Sequence, residues 1–141
     1  MNIWNIKNNF TEFDNLKFGM KRHHLLRLLK FRGYEPVKDP SPMDVEDTNP
    51  HDYFEDFYVG YDEHDRMNYI VFYPSSILMV NDDCILPGSI DYIKQYMNDL
   101  EKDESDLYIS KRYNCIIGPD LTNGTICSIS FSADKLEEKA S

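Results

Sequence analysis

The sequence predicts an α+β fold: a mostly antiparallel sheet of about five to six strands with two main helices packed on it. Two segments, 20–32 and about 90–101, carry apolar residues at the three- to four-residue spacing of a helix. Between and after these segments lie short runs rich in β-branched and aromatic residues, which are typical of strands. Short turn sequences separate the runs, and such turns join antiparallel strands. We therefore expect the helices to cover one face of the sheet.

The first helix is the clearest element of the N-terminal half. Residues 3–18 before it carry scattered apolar positions and predict a loop or a short strand. The helix itself has an apolar stripe and a stop at Gly33. The stripe consists of Leu25, Leu26, Leu28 and Leu29. Residues 34–52 contain four prolines, which fix φ and remove backbone donors, so we expect a long loop there.

The remaining chain is predicted to alternate strands with tight turns and one more helix. Strands are expected at 54–61, 68–73, 76–80, 84–86, 107–117 and 125–131. Residues 62–66 are predicted to form a hairpin connection, and Ser89 is predicted to be the N-cap of the second helix. We expect a single domain over residues 1–133, followed by a polar tail at 134–141.

Composition favours a cytoplasmic protein with a packed core. The chain has 141 residues, a length that suits one domain. The N-terminus lacks the basic start and apolar core of a signal peptide, and the longest apolar runs are too short to span a bilayer. Three cysteines, Cys84, Cys115 and Cys127, each lie in an apolar, strand-like run. We interpret them as buried structural thiols in a reducing compartment.

The formal net charge of −10 is spread unevenly along the chain. Residues 1–38 carry a net charge of +5, whereas residues 39–65 carry ten acidic side chains and no lysine or arginine. Like charges packed this densely repel one another and oppose folding. The block is therefore either a solvated acidic loop or a docking surface for a basic partner, where complementary potential sets association rate and specificity.

Aromatic residues interleaved with the carboxylates favour the docking interpretation. Tyr53, Phe54, Phe57, Tyr58 and Tyr61 all fall within the acidic block, and protein interfaces are rich in such residues. The predicted partner-binding residues share this position and chemistry. They are Asp44, Glu46, Asp47, Asp52, Tyr53, Glu55, Asp56, Tyr58, Asp62, Glu63 and Asp65.

Motifs for catalysis and cofactor binding are sparse. The sequence has no glycine-rich phosphate loop, no Gly-x-Ser-x-Gly and no His-Glu-x-x-His. His23 and His24 are adjacent on the predicted helix and point about 100° apart, so they do not share a metal easily. His51 and His64, each next to carboxylates, leave open a small metal-dependent hydrolase. We predict a protein that is not an enzyme and has no cofactor or metal.

A nucleic acid or a membrane is not expected as a direct partner. Phosphate backbones require lysine and arginine, and the segment 21–32 alone offers a basic face. We interpret this face as the exposed side of an amphipathic helix. The acidic charge also leaves open a second kind of inhibitor, a phage-type nucleic-acid mimic that blocks a host DNA-binding protein.

The order of the hydrophobic segments resembles that of a known class of bacterial proteins. Phe18-Gly19-Met20 opens the leucine-bearing helix, and a long loop leads to three further segments. These are Tyr58-Val59-Gly60-Tyr61-Asp62, Tyr69-Ile70-Val71-Phe72 and Ile90-Asp91-Tyr92-Ile93. Over roughly residues 16–131 the chain resembles the small immunity proteins of polymorphic toxin systems, including those of contact-dependent growth inhibition. The resemblance implies an inhibitor that binds the toxic C-terminal domain of a cognate toxin, a basic domain of nuclease type, as a monomer in a 1:1 complex.

Overall fold

The computed structural model describes residues 3–37, 50–120 and 122–133, which form two β-sheets and two short helices. The strands are β1 (Ile3–Lys7), β2 (Glu12–Phe13), β3 (Leu16–Lys17), β4 (His51–Tyr53), β5 (Phe57–Tyr61), β6 (Met67–Phe72), β7 (Ile77–Val80), β8 (Asp83–Leu86), β9 (Glu101–Lys102), β10 (Tyr108–Ser110), β11 (Cys115–Pro119) and β12 (Ile126–Ser132). The helices are α1 (Arg22–Phe31) and α2 (Ile90–Ile93).

The two sheets have five and seven strands. The five-stranded sheet has the order β3-β2-β1-β7-β8, and the seven-stranded sheet has the order β4-β5-β6-β12-β11-β10-β9. Strands β1 and β7 pair in parallel, whereas the other pairs formed by these strands are antiparallel. The prediction of a mostly antiparallel arrangement agrees with this pairing.

The predicted α+β class, with two main helices packed on one sheet, is wrong, because the protein is mostly β with a second sheet. Residues 3–17, expected to be a loop or one short strand, form β1, β2 and β3 and start that second sheet. Strands β2 and β3 have only two residues each, which is too short to show the period of two that marks a strand in sequence. The region 107–117, expected to be one strand, forms β10 and β11.

The second predicted helix, 90–101, is reduced to α2. The prediction of its N-cap is confirmed, because the Ser89 side chain accepts a hydrogen bond from the backbone N–H of Tyr92. Beyond α2 the chain continues as successive turns, in which the N–H of Leu100 donates to the carbonyl of Met97. Together, α2 and these turns bury apolar side chains at three- to four-residue spacing, namely Ile90, Ile93, Met97 and Leu100.

Aromatic rings from both sheets meet in the core. The ring of Trp4 on β1 lies 5.2 Å from that of Phe57 and 6.0 Å from that of Phe72. Phe13 on β2 lies 5.2 Å from Phe131 on β12. These five side chains are fully buried or nearly so. Burial of large rings between the sheets supplies the hydrophobic free energy that holds the sheets together.

Helix α1 connects the two sheets. At its N-terminal end the N–H of Arg22 donates to the carbonyl of Asp65, in the turn between β5 and β6. At its C-terminal end the Arg32 guanidinium donates to the carbonyl of Ile3 on β1. Leu25 and Leu29 are fully buried between these ends. The predicted stop is confirmed, since Gly33 follows the helix with a φ of +87°, a left-handed value that favours glycine.

The cysteines do not all have the predicted environment. Cys115 is buried, but Cys84 and Cys127 are exposed. Because successive strand residues face opposite sides, burial of Ile85 and Ile126 turns the neighbouring thiols outward. No helix in the described part of the chain is long and apolar enough to cross a membrane. The predicted polar tail, 134–141, lies outside the described residues.

Candidate functional site

The eight predicted partner-binding residues that the structure describes do not form one continuous surface. Asp44, Glu46 and Asp47 lie outside the described residues. Of the others, Asp52 is buried with 6 % of its surface exposed, and the rest are divided between two turns and one face of a sheet. Each group therefore has its own chemistry.

Asp52 belongs to the interior of the protein. On β4 it pairs in register with Val59, so its side chain lies on the core side of the sheet. Arg22 donates two hydrogen bonds to its carboxylate, at 2.9 and 2.8 Å, and the Tyr61 hydroxyl donates a third at 2.7 Å. The hydrogen bond to Asp52 raises the pKa of Arg22. The pKa of Tyr61 is raised mainly by burial and also by its hydrogen bond to Asp52. Asp52 is thus committed to an internal ion pair and is not available to a partner.

The remaining acidic residues lie in two turns at opposite ends of β5. Glu55 and Asp56 lie in the turn between β4 and β5, whereas Asp62, Glu63 and Asp65 lie in the turn between β5 and β6. Since β5 has five residues, the two turns are separated by about 16 Å at roughly 3.3 Å per residue. These five described carboxylates of the acidic block therefore form two separate clusters.

The β5–β6 turn joins two antiparallel strands, so the predicted hairpin connection is confirmed. One of its carboxylates, Asp62, stabilises the turn itself. The Asp62 carboxylate accepts hydrogen bonds from the backbone N–H groups of His64 and Arg66, at 2.8 and 3.0 Å. Both bonds lower the pKa of Asp62, and the bond from the backbone N–H of Arg66 has the larger effect. The turn also borders the N-terminal end of α1. A surface depression of about 380 Å³ there is lined by Lys21, Arg22, His23, Leu26, His64 and Asp65, so charges of both signs meet.

The turn with Glu55 and Asp56 lies instead beside a cluster of aromatic rings. The register of β4, β5 and β6 places His51, Tyr53, Tyr58 and Tyr69 on the sheet face opposite to the core. Tyr73, directly after β6, joins them. We call this set of five residues the tyrosine face. All five side chains are half-buried.

Tyr58 is the centre of the tyrosine face. Its ring lies 5.1 Å from that of Tyr53, 6.0 Å from Tyr69, and 6.1 Å from both Tyr73 and His51, between ring centroids. Burial, and then the neighbouring Tyr53, raise the pKa of Tyr73. The Tyr73 hydroxyl group therefore remains protonated at neutral pH and is able to donate a hydrogen bond.

Gly60 allows the rings to pack this closely. A Cβ atom built on Gly60 would lie 2.1 Å from the ring of Tyr69, well inside van der Waals contact. The Tyr69 hydroxyl is also hydrogen-bonded to Nε2 of His51. The absence of a side chain at residue 60 thus lets Tyr69 lie flat over β5 and reach β4.

Sequence reasoning found two members of the tyrosine face and missed three. Tyr53 and Tyr58 were predicted from their place in the acidic block, but His51, Tyr69 and Tyr73 were not. The alternation of side chains along residues 69–73 would have identified two of them. Ile70 and Phe72 face the core, so Tyr69 and Tyr73 face the other side of the sheet. Phe54, Phe57 and Tyr61, which were interleaved with the carboxylates in sequence, are core residues.

The contacts of the site come from aromatic rings and carboxylates. Among the residues that the structure describes, no group of three or more His, Cys, Asp and Glu side chains is placed to hold a metal ion. His51 packs among tyrosine rings, and His64 is largely exposed in its turn beside Glu63. Comparison with known proteins gives no match of this chain to a family model, a curated protein or a solved structure.

Proposed function

We propose that this protein is a non-catalytic inhibitor that binds a basic domain of a partner protein. The observation that carries the proposal is the tyrosine face, centred on Tyr58, with the acidic turn of Glu55 and Asp56 between its strands β4 and β5. Aromatic rings held in place by their neighbours lose little conformational freedom on binding. Such rings, next to charged groups at the rim, are the usual composition of an interface hot spot.

Charge supports a basic partner. The chain has a formal net charge of −10, and its field attracts a positively charged domain and raises the rate of encounter. Glu55 is exposed and Asp56 half-buried in the turn between β4 and β5, so a partner that covers the tyrosine face comes close to this turn. Lysine and arginine side chains pair with such carboxylates and also stack on tyrosine rings.

The resemblance to immunity proteins supplies the biological form of the proposal. The partner would be the C-terminal domain of a cognate toxin, a basic domain of nuclease type, held in a 1:1 complex in the cytoplasm. In this setting the inhibitor acts by occupying a surface that the toxin needs for its substrate. The first candidate partner to test is the protein encoded by the neighbouring gene.

The test measures binding of the purified neighbouring gene product by calorimetry at two salt concentrations. Tyr58→Ala is expected to weaken binding by about 2 kcal/mol, the size of a hot-spot residue. The double variant Glu55→Lys/Asp56→Lys is expected to weaken binding at the lower salt concentration and to reduce the salt dependence of the affinity. Tyr58→Phe, which keeps the ring, is expected to bind almost as well as the natural protein.

A matched control separates the proposed rim from a general effect of charge. Glu101→Lys/Glu104→Lys makes the same charge change at exposed residues near β9, at the far edge of the seven-stranded sheet. If this control weakens binding as much as Glu55→Lys/Asp56→Lys, and Tyr58→Ala binds normally, the tyrosine face is not the interface. If the product of the neighbouring gene does not bind at all, the immunity role is refuted.

A further inference from the structure

Helix α1 carries a surface of the opposite charge to the rest of the chain. Five of its residues are exposed, and at about 100° per residue they lie within one arc of about 120°. They are His23, His24, Arg27, Lys30 and Phe31. Leu25 and Leu29, on the other side of the helix, are fully buried. We call the five exposed residues the α1 face; it contains no acidic residue although the whole chain is strongly acidic.

The basic residues of α1 have two different roles. Arg22 and Arg32, which flank the α1 face, are used inside the protein: Arg22 pairs with Asp52, and Arg32 pairs with Asp14. Arg27 and Lys30 point outward instead, and no carboxylate in the described ranges lies within 4.0 Å of either. A lysine in the last turn is favoured by the helix dipole, which accounts for Lys30 but not for Arg27.

Phe31 gives the α1 face its apolar part. Its side chain is 85 % exposed, more than that of any other large hydrophobic residue in the described part of the chain. Together with the side chains of Arg27 and Lys30 it lines a shallow depression of about 410 Å³. The aliphatic stems of arginine and lysine form apolar walls beside the ring, and their charged heads remain at the rim. The depression therefore matches a ligand with an apolar side chain at its centre and negative charge around it.

We propose that the α1 face binds an acidic amphipathic segment of another protein. Residues 23–31 span about 12 Å at roughly 1.5 Å per residue, a length that fits about two turns of a partner helix. A carboxylate on either side of an apolar residue in that segment would pair with Arg27 and Lys30 while the apolar residue contacts Phe31. This surface is separate from the tyrosine face and does not depend on it.

Charge argues against the other occupants of the α1 face. A second copy of the chain packed face to face would place Arg27 and Lys30 against their own counterparts. A nucleic acid or an anionic membrane carries charge well past the short α1 face, where it meets the field of a chain with net charge −10. A short acidic segment of a folded protein interacts mainly with the α1 face itself.

The experiment titrates the isotope-labelled full chain with defined probes and follows backbone amide signals by NMR. The main probe is an amphipathic peptide of about 16 residues, or about four helical turns, with glutamates flanking a leucine stripe. Its first control is the same peptide with glutamine in place of each glutamate. The other probes are a thymidine oligonucleotide and vesicles of phosphatidylglycerol.

We expect the acidic peptide to shift the amide signals of residues 23–31 and to bind more weakly as salt is raised. Arg27→Glu/Lys30→Glu and Phe31→Ser should each weaken it by about 10-fold. The matched control, Lys7→Glu/Lys17→Glu, makes the same charge change at exposed residues of β1 and β3 and should leave binding unchanged. The proposal is overturned if the glutamine peptide binds equally well, if the oligonucleotide or the vesicles bind more tightly through the same residues, or if no probe shifts these signals.

Discussion

At the residue scale, Asp52 shows how a charged side chain is tolerated in the interior of this protein. Two hydrogen bonds from Arg22 and one from Tyr61 satisfy a carboxylate that is almost completely removed from water. The Arg22 guanidinium also lies over the Tyr61 ring, 5.2 Å from its centroid. This group connects α1 with β4 and β5, and loss of Asp52 removes the acceptor that Arg22 and Tyr61 share.

Asp52→Asn is expected to lower the free energy of unfolding by about 2 kcal/mol, because it removes the buried negative charge to which the half-buried Arg22 guanidinium donates two hydrogen bonds. Urea unfolding at neutral pH measures this loss. Glu55→Gln, the matched change at an exposed carboxyl three residues away, should alter stability by less than about 0.5 kcal/mol. Equal effects of the two variants would mean that the ion pair contributes nothing specific.

Asp99 is expected to give the protein part of its sensitivity to acid. Burial alone raises the pKa of this carboxyl group, but hydrogen bonds from the Arg112 N–H and the Ser110 hydroxyl outweigh it and lower the pKa. A carboxyl whose pKa is lower in the folded state stabilises the protein above its unfolded-state pKa, near 4. That contribution is lost as the pH falls from about 4 through the lower folded-state pKa.

Asp99→Asn should therefore reduce the dependence of stability on pH below about pH 4, at a cost of about 1 kcal/mol at neutral pH. Urea unfolding across this pH range provides the measurement. Glu104→Gln, at an exposed residue, serves as the comparison and should keep the natural pH dependence. A natural pH dependence in Asp99→Asn would contradict the assignment.

At the element scale, the β4–β6 part of the seven-stranded sheet depends on close contact between a ring and a backbone. Gly60 has no side chain, and the ring of Tyr69 occupies the space that a Cβ would take. The Tyr69 hydroxyl reaches His51 on the neighbouring strand, so the ring joins three strands on the face opposite to the core.

Gly60→Ala is expected to cost about 1–3 kcal/mol, because the new methyl group displaces the Tyr69 ring from Gly60 and from His51. In a Tyr69→Ala background the same change should cost much less, since the colliding ring is gone. Thermal unfolding of the four proteins in this double-mutant cycle tests the coupling. Additive costs would show that Gly60 is required for another reason.

Secondary structure was predicted best where elements are long and regular. Helix α1 and strand β6 were predicted within two residues of their ends, because ten and six residues suffice to show a period. The segment 90–100 has helical spacing but forms successive turns after α2, since burial of Met97 and Leu100 requires their spacing and not an unbroken helix. In this segment the local spacing was right about which side of the chain is buried and wrong about the backbone conformation.

At the scale of the whole molecule, Trp4 is the side chain on which both sheets and α1 converge. It is fully buried, its ring contacts Phe57 and Phe72 of the seven-stranded sheet, and the Arg32 guanidinium lies 3.8 Å from its centroid. The parallel pairing of β1 with β7 places this residue in the middle strand of the five-stranded sheet.

Trp4→Phe should lower the free energy of unfolding by about 2 kcal/mol, through loss of buried ring area and of the contact with Arg32. Circular dichroism during thermal unfolding is the suitable measurement, because the variant lacks the one tryptophan of the chain. Tyr92→Phe, at a residue that is 36 % exposed, is the control and should be nearly neutral. A similar loss in both variants would argue against a central role for Trp4.

The molecule also has two surfaces with different charge. The tyrosine face has the acidic turn of Glu55 and Asp56 between its strands β4 and β5, and the α1 face presents Arg27 and Lys30. This division follows the uneven charge of the sequence, since residues 1–38 are net basic and residues 39–65 are acidic. The proposals for the two faces are tested by separate variants, so either one can fail while the other stands.

The sequence by itself determined the net charge, helix α1 with its stop at Gly33, and the main hairpin strands. Only the tertiary structure decided that residues 3–17 join β7 and β8 in a second sheet, that Asp52 is internal, and that Tyr69 and Tyr73 lie beside Tyr58. The physical reason is that these features depend on pairing between segments far apart in the chain. Local spacing carries no information about which distant strand, or which arginine, will be the partner.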